Sequence, residues 1–302
     1  MKPMTLSKTG ESKKKASLSS FFEKQQNLFY VNEDYFLLDT AFYICRGGWL
    51  LSLNSNRQKS LRITRNYCMN LFDFENSENE KFRNKKPEIF KIILRSYARN
   101  VSTEVRRKTL FNDVNEHEDR NISSDTFDSY IEALNDLYII HDIDSWNLNF
   151  RSKVAIITTP TRHFVDTSVA AYALHISPSD LLNDPHTFGL FFEDFVIKEL
   201  SVYAACIGGE IRHYRDSNGL ECDAVLHLEN GDYGLIEIKL GGEKLFEDGI
   251  SSLKSLENKI IDSQMHEPTL KMIITACGNA YVKDSTYIVP VNVLTGGLFV
   301  NS

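Results

Sequence analysis

The chain is poor in several things, and each shortage removes a class of protein. Its five cysteines, Cys45, Cys68, Cys206, Cys222 and Cys277, are odd in number, far apart and without a C-x-x-C pair. Neither a zinc site nor a disulfide framework is expected, and the thiols read as reduced core residues. No stretch approaches the ~18 consecutive apolar residues that cross a bilayer, so no membrane-spanning helix is expected. Lys2, Lys8 and Lys13-Lys14-Lys15 lie near the start, but no apolar signal-type segment follows them, and the expected location is the cytoplasm. Positive charge is short as well: 34 Lys+Arg against 41 Asp+Glu leave a formal charge of −7. A basic field over the whole molecule is thus absent, which disfavours indiscriminate nucleic-acid binding but leaves room for a local basic groove.

What is present is the composition of a folded chain. Hydrophobic residues make up 42% and charged residues 25%, which excludes a disordered, collagen-like or disulfide-scaffold protein. At 302 residues the chain exceeds one typical domain of ~150 and suggests two.

Residues 1–35 read as a loop or fraying lead-in with one apolar cluster at Leu18, Phe21 and Phe22. A helical region follows over 36–150. It begins with a Gly47-Gly48-Trp49 turn and a helical pattern at Leu61, Ile63, Tyr67 and Leu71. Asn76 to Lys86 reads as a loop. Pro87 suits a first helical turn, with Ile89, Phe90, Ile93, Leu94 and Tyr97 on one face. A short helix over about Ser102–Val114 comes next, then one capped by Ser124 or Asp125 that carries Phe127, Tyr130, Ile131, Leu134 and Leu137. Tyr138 to His141 reads as a buried strand. Three helices and a strand outline a winged helix, a fold that serves DNA binding or mere packing. The third helix has no Lys or Arg from Thr126 to Leu137 and carries Asp125, Asp128, Glu132 and Asp136 around it, so it does not look like a recognition helix.

Residues 151–302 form the second unit. Strands are expected at Val154–Thr158 and His163–Val165, and small helices from Ser168 to Leu182. His163, Asp166 and His186 stand singly and read as satisfied polar residues rather than ligands. Beyond Thr187 the pattern is α-β-β-β-α-β-β: a helix to Cys206, strands at Glu210–Arg215, Leu220–Glu229 and Tyr233–Leu240, a helix over Leu245–Ser263, and strands at Leu270–Ala276 and Thr286–Leu294. Asn218-Gly219 and Asn230-Gly231 mark hairpin turns.

In Leu235-Ile236-Glu237-Ile238-Lys239, Glu237 and Lys239 share one strand face. Whether Asp223 joins them depends on the register. A three-residue loop, Glu229-Asn230-Gly231, pairs 228 with 232 and sets Asp223 opposite Glu237, whereas a two-residue loop throws the acids onto opposite faces. Facing carboxylates repel, and a hard Mg²⁺ or Mn²⁺ ion relieves that repulsion. Lys239 is then placed to position or deprotonate a water and to offset charge at a phosphate. A third acid can come from the preceding helix, as Glu193 or Asp194. The same spacing equally describes a solvated sheet face laced with salt bridges.

Glu193, Asp223 and Glu237-x-Lys239 in this element order resemble the PD-(D/E)XK nuclease superfamily. The runs Thr187–Glu193, Tyr214–Asp223 and Ile236–Lys239 are similar to a narrower group, the C-terminal region of prokaryotic AAA-type ATPases. So are Gly47-Gly48-Trp49, Leu94–Thr103, Trp146-Asn147, Arg151–Lys153 and Arg162–Asp166. The resemblance spans roughly residues 36–300. It implies an α/β (α+β) fold, a helical winged-helix-like region followed by a PD-(D/E)XK restriction-endonuclease-like αβββαβ domain. It also implies a metal site of Glu193, Asp223 and Glu237, with Asp223, Glu237 and Lys239 catalytic, and Mg or Mn as cofactor. The match favours Glu193 over Asp194.

Such ATPases begin with a P-loop, and no G-x-x-x-x-G-K-[ST] occurs here, so the chain is expected to bind no ATP itself. It resembles the C-terminal part of such a protein, started internally or separated from its ATPase, with 1–35 matching the end of that module. Two functions follow as expectations: a metal-dependent nuclease acting on DNA, or a non-catalytic interaction or regulatory module that docks to a separately encoded ATPase or to itself.

Overall fold

A fold with acids on adjacent strands needs those strands held from both sides, and the hydrophobic pattern supplies two such layers. The structure, a computed structural model, describes residues 3–23, 30–31, 35–71, 85–117, 121–147 and 159–297. It is α+β: eleven helices and eight short strands among the described residues, with the helices concentrated in the N-terminal part and a six-stranded sheet in the C-terminal part.

The lead-in is not frayed where it is described. Helix α1 (Leu6–Thr9), strand β1 (Ala16–Ser17) and helix α2 (Leu18–Phe22) pack inward, with Leu6, Leu18 and Phe21 buried. Strand β1 pairs in parallel with β8 (Leu294–Thr295), near the far end of the chain. Helices α3 (Leu37–Arg46) and α4 (Arg57–Asn70) are joined through the Gly47-Gly48-Trp49 turn. Gly47 takes φ +71° and ends α3, and the Gly48 N–H donates to Asp166 Oδ2 at 2.8 Å while Trp49 Nε1 donates to Ser168 Oγ at 2.8 Å. A Cβ on Gly48 would lie 2.2 Å from the Met4 carbonyl oxygen. The loop expected at 76–86 lies mostly outside the described residues.

The three helices of the expected winged region are present as α5 (Pro87–Arg99), α6 (Arg107–His117) and α7 (Ser124–Asp136). The cap of α7 is Ser123, one residue before the sequence reading, and its hydroxyl accepts from Thr126 N. The strands expected after it shrink to single bridges: Ile140 with Phe164 and Ile143 with Thr161. Tyr138 takes φ +54° and is exposed, which stops an extended run at its first residue. The strand expected at Val154–Thr158 and the Arg151–Lys153 stretch lie outside the described residues. Helices α8 (Thr167–Ala173) and α9 (Pro178–Asn183) lead into α10 (Pro185–Cys206).

From α10 onward the order is αβββαβ followed by two further sheet strands. The sheet runs β2 (Gly209–Arg215), β3 (Glu221–Leu228), β4 (Tyr233–Lys239), β5 (Leu270–Thr275), β7 (Thr286–Pro290), β6 (Tyr281–Lys283). The first three form an antiparallel meander, β4–β5–β7 are parallel, and β6 closes the edge antiparallel to β7. Sequence reading missed β6 and merged β7 with β8, which a 3₁₀ turn at Val291–Val293 separates.

The alternation along β3 and β4 explains the layers. Ala224, Leu226, Ile236 and Ile238 join the apolar cluster containing Phe188, Phe192 and Val196 of α10, and Val225, Tyr233 and Leu235 join a second cluster with Leu253, Leu256 and Ile260 of α11 (Glu243–Asp262). Both faces of these strands are therefore covered. Because the side-chain period is two, this double burial fixes the register firmly.

Candidate functional site

The β3–β4 hairpin decides whether the acids meet. Its ladder pairs Ala224 with Ile236, Val225 with Leu235, Leu226 with Gly234 and His227 with Tyr233. The Leu228 N–H reaches the Asp232 carbonyl at 2.8 Å, and Gly231, at φ +92°, donates to Leu228 O at 2.9 Å. The loop is thus Glu229-Asn230-Gly231, with glycine in the left-handed position that other residues resist. Asp223 and Glu237 fall next in the same register.

Lys239 joins the two acids. Its Nζ lies 2.6 Å from Glu237 Oε2 and 3.2 Å from Asp223 Oδ2. Asp223 Oδ2 also accepts the Ile238 N–H at 2.7 Å, which ties the acid to the neighbouring backbone. Glu237 is almost fully buried and takes a hydrogen bond from Ser252 Oγ of α11 at 3.3 Å. Burial, then the charge of Asp223, pushes the Glu237 carboxyl up to about 8, with Lys239 and Ser252 opposing. Burial works against the Lys239 ammonium, but Asp223 and Glu237 together outweigh it and raise its pKa.

The neighbouring acids Glu193 and Asp194 separate cleanly. Asp194 is fully buried and committed to structure: its Oδ1 accepts the Phe164 N–H at 2.8 Å and lies 3.1 Å from His163 Nδ1. Glu193, half-buried on α10, lines a cavity of about 360 Å³ together with Asp223. Burial first and Asp223 second hold its carboxyl well above the ordinary Glu value, while Lys239 pulls the other way. His163 and Asp166 are inward, hydrogen-bonded residues, and His186 is an exposed residue of the first turn of α10.

The cavity wall includes three residues that the sequence reading did not single out, His213, Glu104 and Arg215. A β-bulge brings His213 in. Arg212 pairs with Val225 but Tyr214 pairs with Cys222, so Asp223 and Ala224 together oppose the single residue His213. His213 Nδ1 lies 3.2 Å from Glu104 Oε1, and Arg215 lies 3.9 Å from Glu104 and 3.5 Å from Glu221. Burial, reinforced by His163, pushes the His213 ring down to about 4, so it is neutral at physiological pH. A bulge carries no composition signature.

Three carboxyls supply the hard oxygen donors that a Mg²⁺ or Mn²⁺ ion takes. Burial first and the charge of Asp223 second raise Glu193 and Glu237, and a dication would relieve the second of these. As they stand, no three His, Cys, Asp or Glu residues among the described residues are gathered closely enough to hold an ion, and the Lys239 ammonium takes the cationic place between Asp223 and Glu237. The donor chemistry fits such an ion. Any ion sharing these oxygens competes with Lys239 for them.

Comparison with known families divides the chain at nearly the same place as the fold. Residues 38–180 match the family model of a domain of unknown function, DUF8612. Residues 188–294 match a second domain of unknown function, DUF4143, which is known from the C-terminal regions of AAA-type ATPases. Neither description names an activity. No curated protein matches the chain. Among the described residues no helix is long and apolar enough to cross a membrane.

Proposed function

We propose that the chain is a metal-dependent phosphodiesterase-type nuclease acting on DNA, with its site at Glu193, Asp223, Glu237 and Lys239. The observation that carries this reading is the convergence of Asp223, Glu237 and Lys239 on one ammonium-centred cluster beside a cavity that Glu193 also lines. Like-charged buried acids destabilise a fold unless a cation offsets them; Lys239 supplies one such charge, and a bound dication would offset the rest, including Glu193.

Glu193, Asp223 and Glu237 would hold Mg²⁺ or Mn²⁺, which when bound supplies neutralising charge at the scissile phosphate. The residues themselves do the remainder. The Ile238 N–H and Lys239 orient the Asp223 carboxylate. Ser252 holds Glu237 toward the cluster. Lys239, as a donor, offsets charge that develops on phosphate oxygen. Arg215, at the cavity wall, can bind a neighbouring phosphate.

The test is incubation of the purified chain with single- and double-stranded DNA in Mg²⁺ or Mn²⁺. Metal-dependent cutting that disappears in Asp223→Ala and Lys239→Ala supports the reading. No cutting under any condition, or equal cutting by those variants, overturns it.

A second reading, docking to a separate AAA-type ATPase, rests on the family match of residues 188–294 and on the exposed apolar Leu50, Leu51 and Tyr138. Co-purification with such a partner that survives Asp223→Ala and is lost on Leu50→Asp would favour it.

A further inference from the structure

The net charge of −7 leaves open how an acidic chain holds a polyanion. Helix α4 answers with a local excess of the opposite sign. It carries Arg57, Lys59, Arg62 and Arg65 and not one Asp or Glu. All four are exposed, as are Gln58 and Asn66 beside them, while Ser60, Thr64 and Cys68 face the core. Arg57 is ion-paired with Asp39. Lys59, Arg62 and Arg65 make no ion pair with a described residue.

The position of these cations matters as much as their number. A helix N-terminus carries partial positive charge, so acids there stabilise it and cations there do not. The first turn of α4 has no acid and instead holds Arg57 and Lys59. The helix therefore adds cations to the positive end of its own dipole, an arrangement unfavourable to folding and favourable to an anion. By contrast α7, the helix that a winged-helix reading would put on DNA, has Asp125 in its first turn and no Lys or Arg.

We propose that the exposed face of α4 grips the sugar-phosphate backbone of duplex DNA. Every side chain named on that face is a hydrogen-bond donor, and the carboxylates that a protein partner's own cations would need are missing from it. A phosphate backbone asks for donors alone and reads no sequence through them. The choice of DNA rests on the nuclease reading above, and the face supplies that reading with a grip that the acidic cluster cannot.

The experiment is fluorescence anisotropy of a labelled random-sequence duplex with the full chain, across a salt series and in Ca²⁺ to separate binding from cutting. The triple variant Lys59→Gln, Arg62→Gln, Arg65→Gln keeps exposed positions polar, and its melting curve checks folding. Each lost phosphate contact lowers the slope of log K against log salt by about 0.9, so the triple variant should lose about 2 to 3 in slope and bind about tenfold more weakly or worse. Lys244→Gln, on α11, should leave both unchanged. An unchanged slope in the triple variant overturns the inference even if the chain cuts DNA. Retained α4-dependent binding without any cutting leaves the inference standing and sinks the nuclease reading. If the wild-type chain binds no duplex, or if the α4 variant instead abolishes self-association on size exclusion, the face belongs to a protein contact and the proposal is wrong.

Discussion

Replacing Lys239 by methionine keeps most of the side chain's bulk and removes the charge that joins Asp223 to Glu237. The side chains of Lys239, Asp223 and Glu237 are 25%, 15% and 3% exposed, so the pair is mostly buried. Cutting one partner out of a fully buried ion pair costs about 3–5 kcal/mol. Two features reduce that figure here. Water reaches a quarter of Lys239 and shares its work. The orphaned acids can also take up a proton in place of a bare charge. For a carboxyl of the ordinary value 4.5, protonation at pH 7 costs about 3.4 kcal/mol, from about 1.4 kcal/mol for each pH unit. Glu237, already raised to about 8, pays far less.

The sign follows from linkage. A carboxyl raised in the folded state contributes stability that is fully present below 4.5 and is lost as pH rises through about 8. Lys239→Met raises that carboxyl further, so the extra loss opens as pH rises above about 8, where only the wild-type carboxyl has given up its proton. At about 1.4 kcal/mol per pH unit, we expect the loss to be about 2 kcal/mol larger at pH 9.5 than at pH 6. Urea unfolding followed by tryptophan fluorescence, wild type beside variant at both pH values, measures it. Equal losses at the two pH values, or a variant more stable than wild type at pH 9.5, would refute the assignment of Lys239 as the counter-charge of this cluster.

Glu193→Gln should behave in the opposite way. It removes an acid whose carboxyl burial and then Asp223 hold above the ordinary Glu value of 4.5, so in urea melts the variant should gain stability relative to wild type as pH climbs above that value, and any metal-dependent DNA cutting should be lost. Gly48→Ala puts a methyl group 2.2 Å from the Met4 carbonyl oxygen and should cost about 1–3 kcal/mol in the same assay. A silent Gly48→Ala would mean that the lead-in does not sit against the turn.

Much of the site was legible because strand alternation is a strict rule. Once Glu229-Asn230-Gly231 is read as a three-residue loop, the facing of Asp223 and Glu237 follows, and the observed ladder has that register. Glu193 and Asp194 were not separable by pattern, since neighbours on a helix differ by only 100° and the choice depends on Phe164 and His163, which pack from another segment. His213 stayed hidden because a bulge breaks the alternation on which such reading depends. The lead-in misled for a related reason. Ala16-Ser17 is too short to show a period, and its strand character comes wholly from Leu294-Thr295. The basic face of α4 was diluted by a whole-chain charge count that averaged it against acids elsewhere.

The pairing of β1 with β8 has a further consequence for how the chain is made. Ser12 Oγ donates to Leu294 O, 282 residues further along the chain, and Lys13 N donates to Asn292 O and Ser19 N to Gly296 O. Until the segment around β8 has been synthesised, residues 12–19 lack these partners and Phe21 lacks the Tyr287 ring that packs against it. Closing a loop of that length is a late and slow event. Strand β1 is therefore translated long before it can be secured, and a nascent chain stalled short of β8 leaves that segment open to chaperones and proteases.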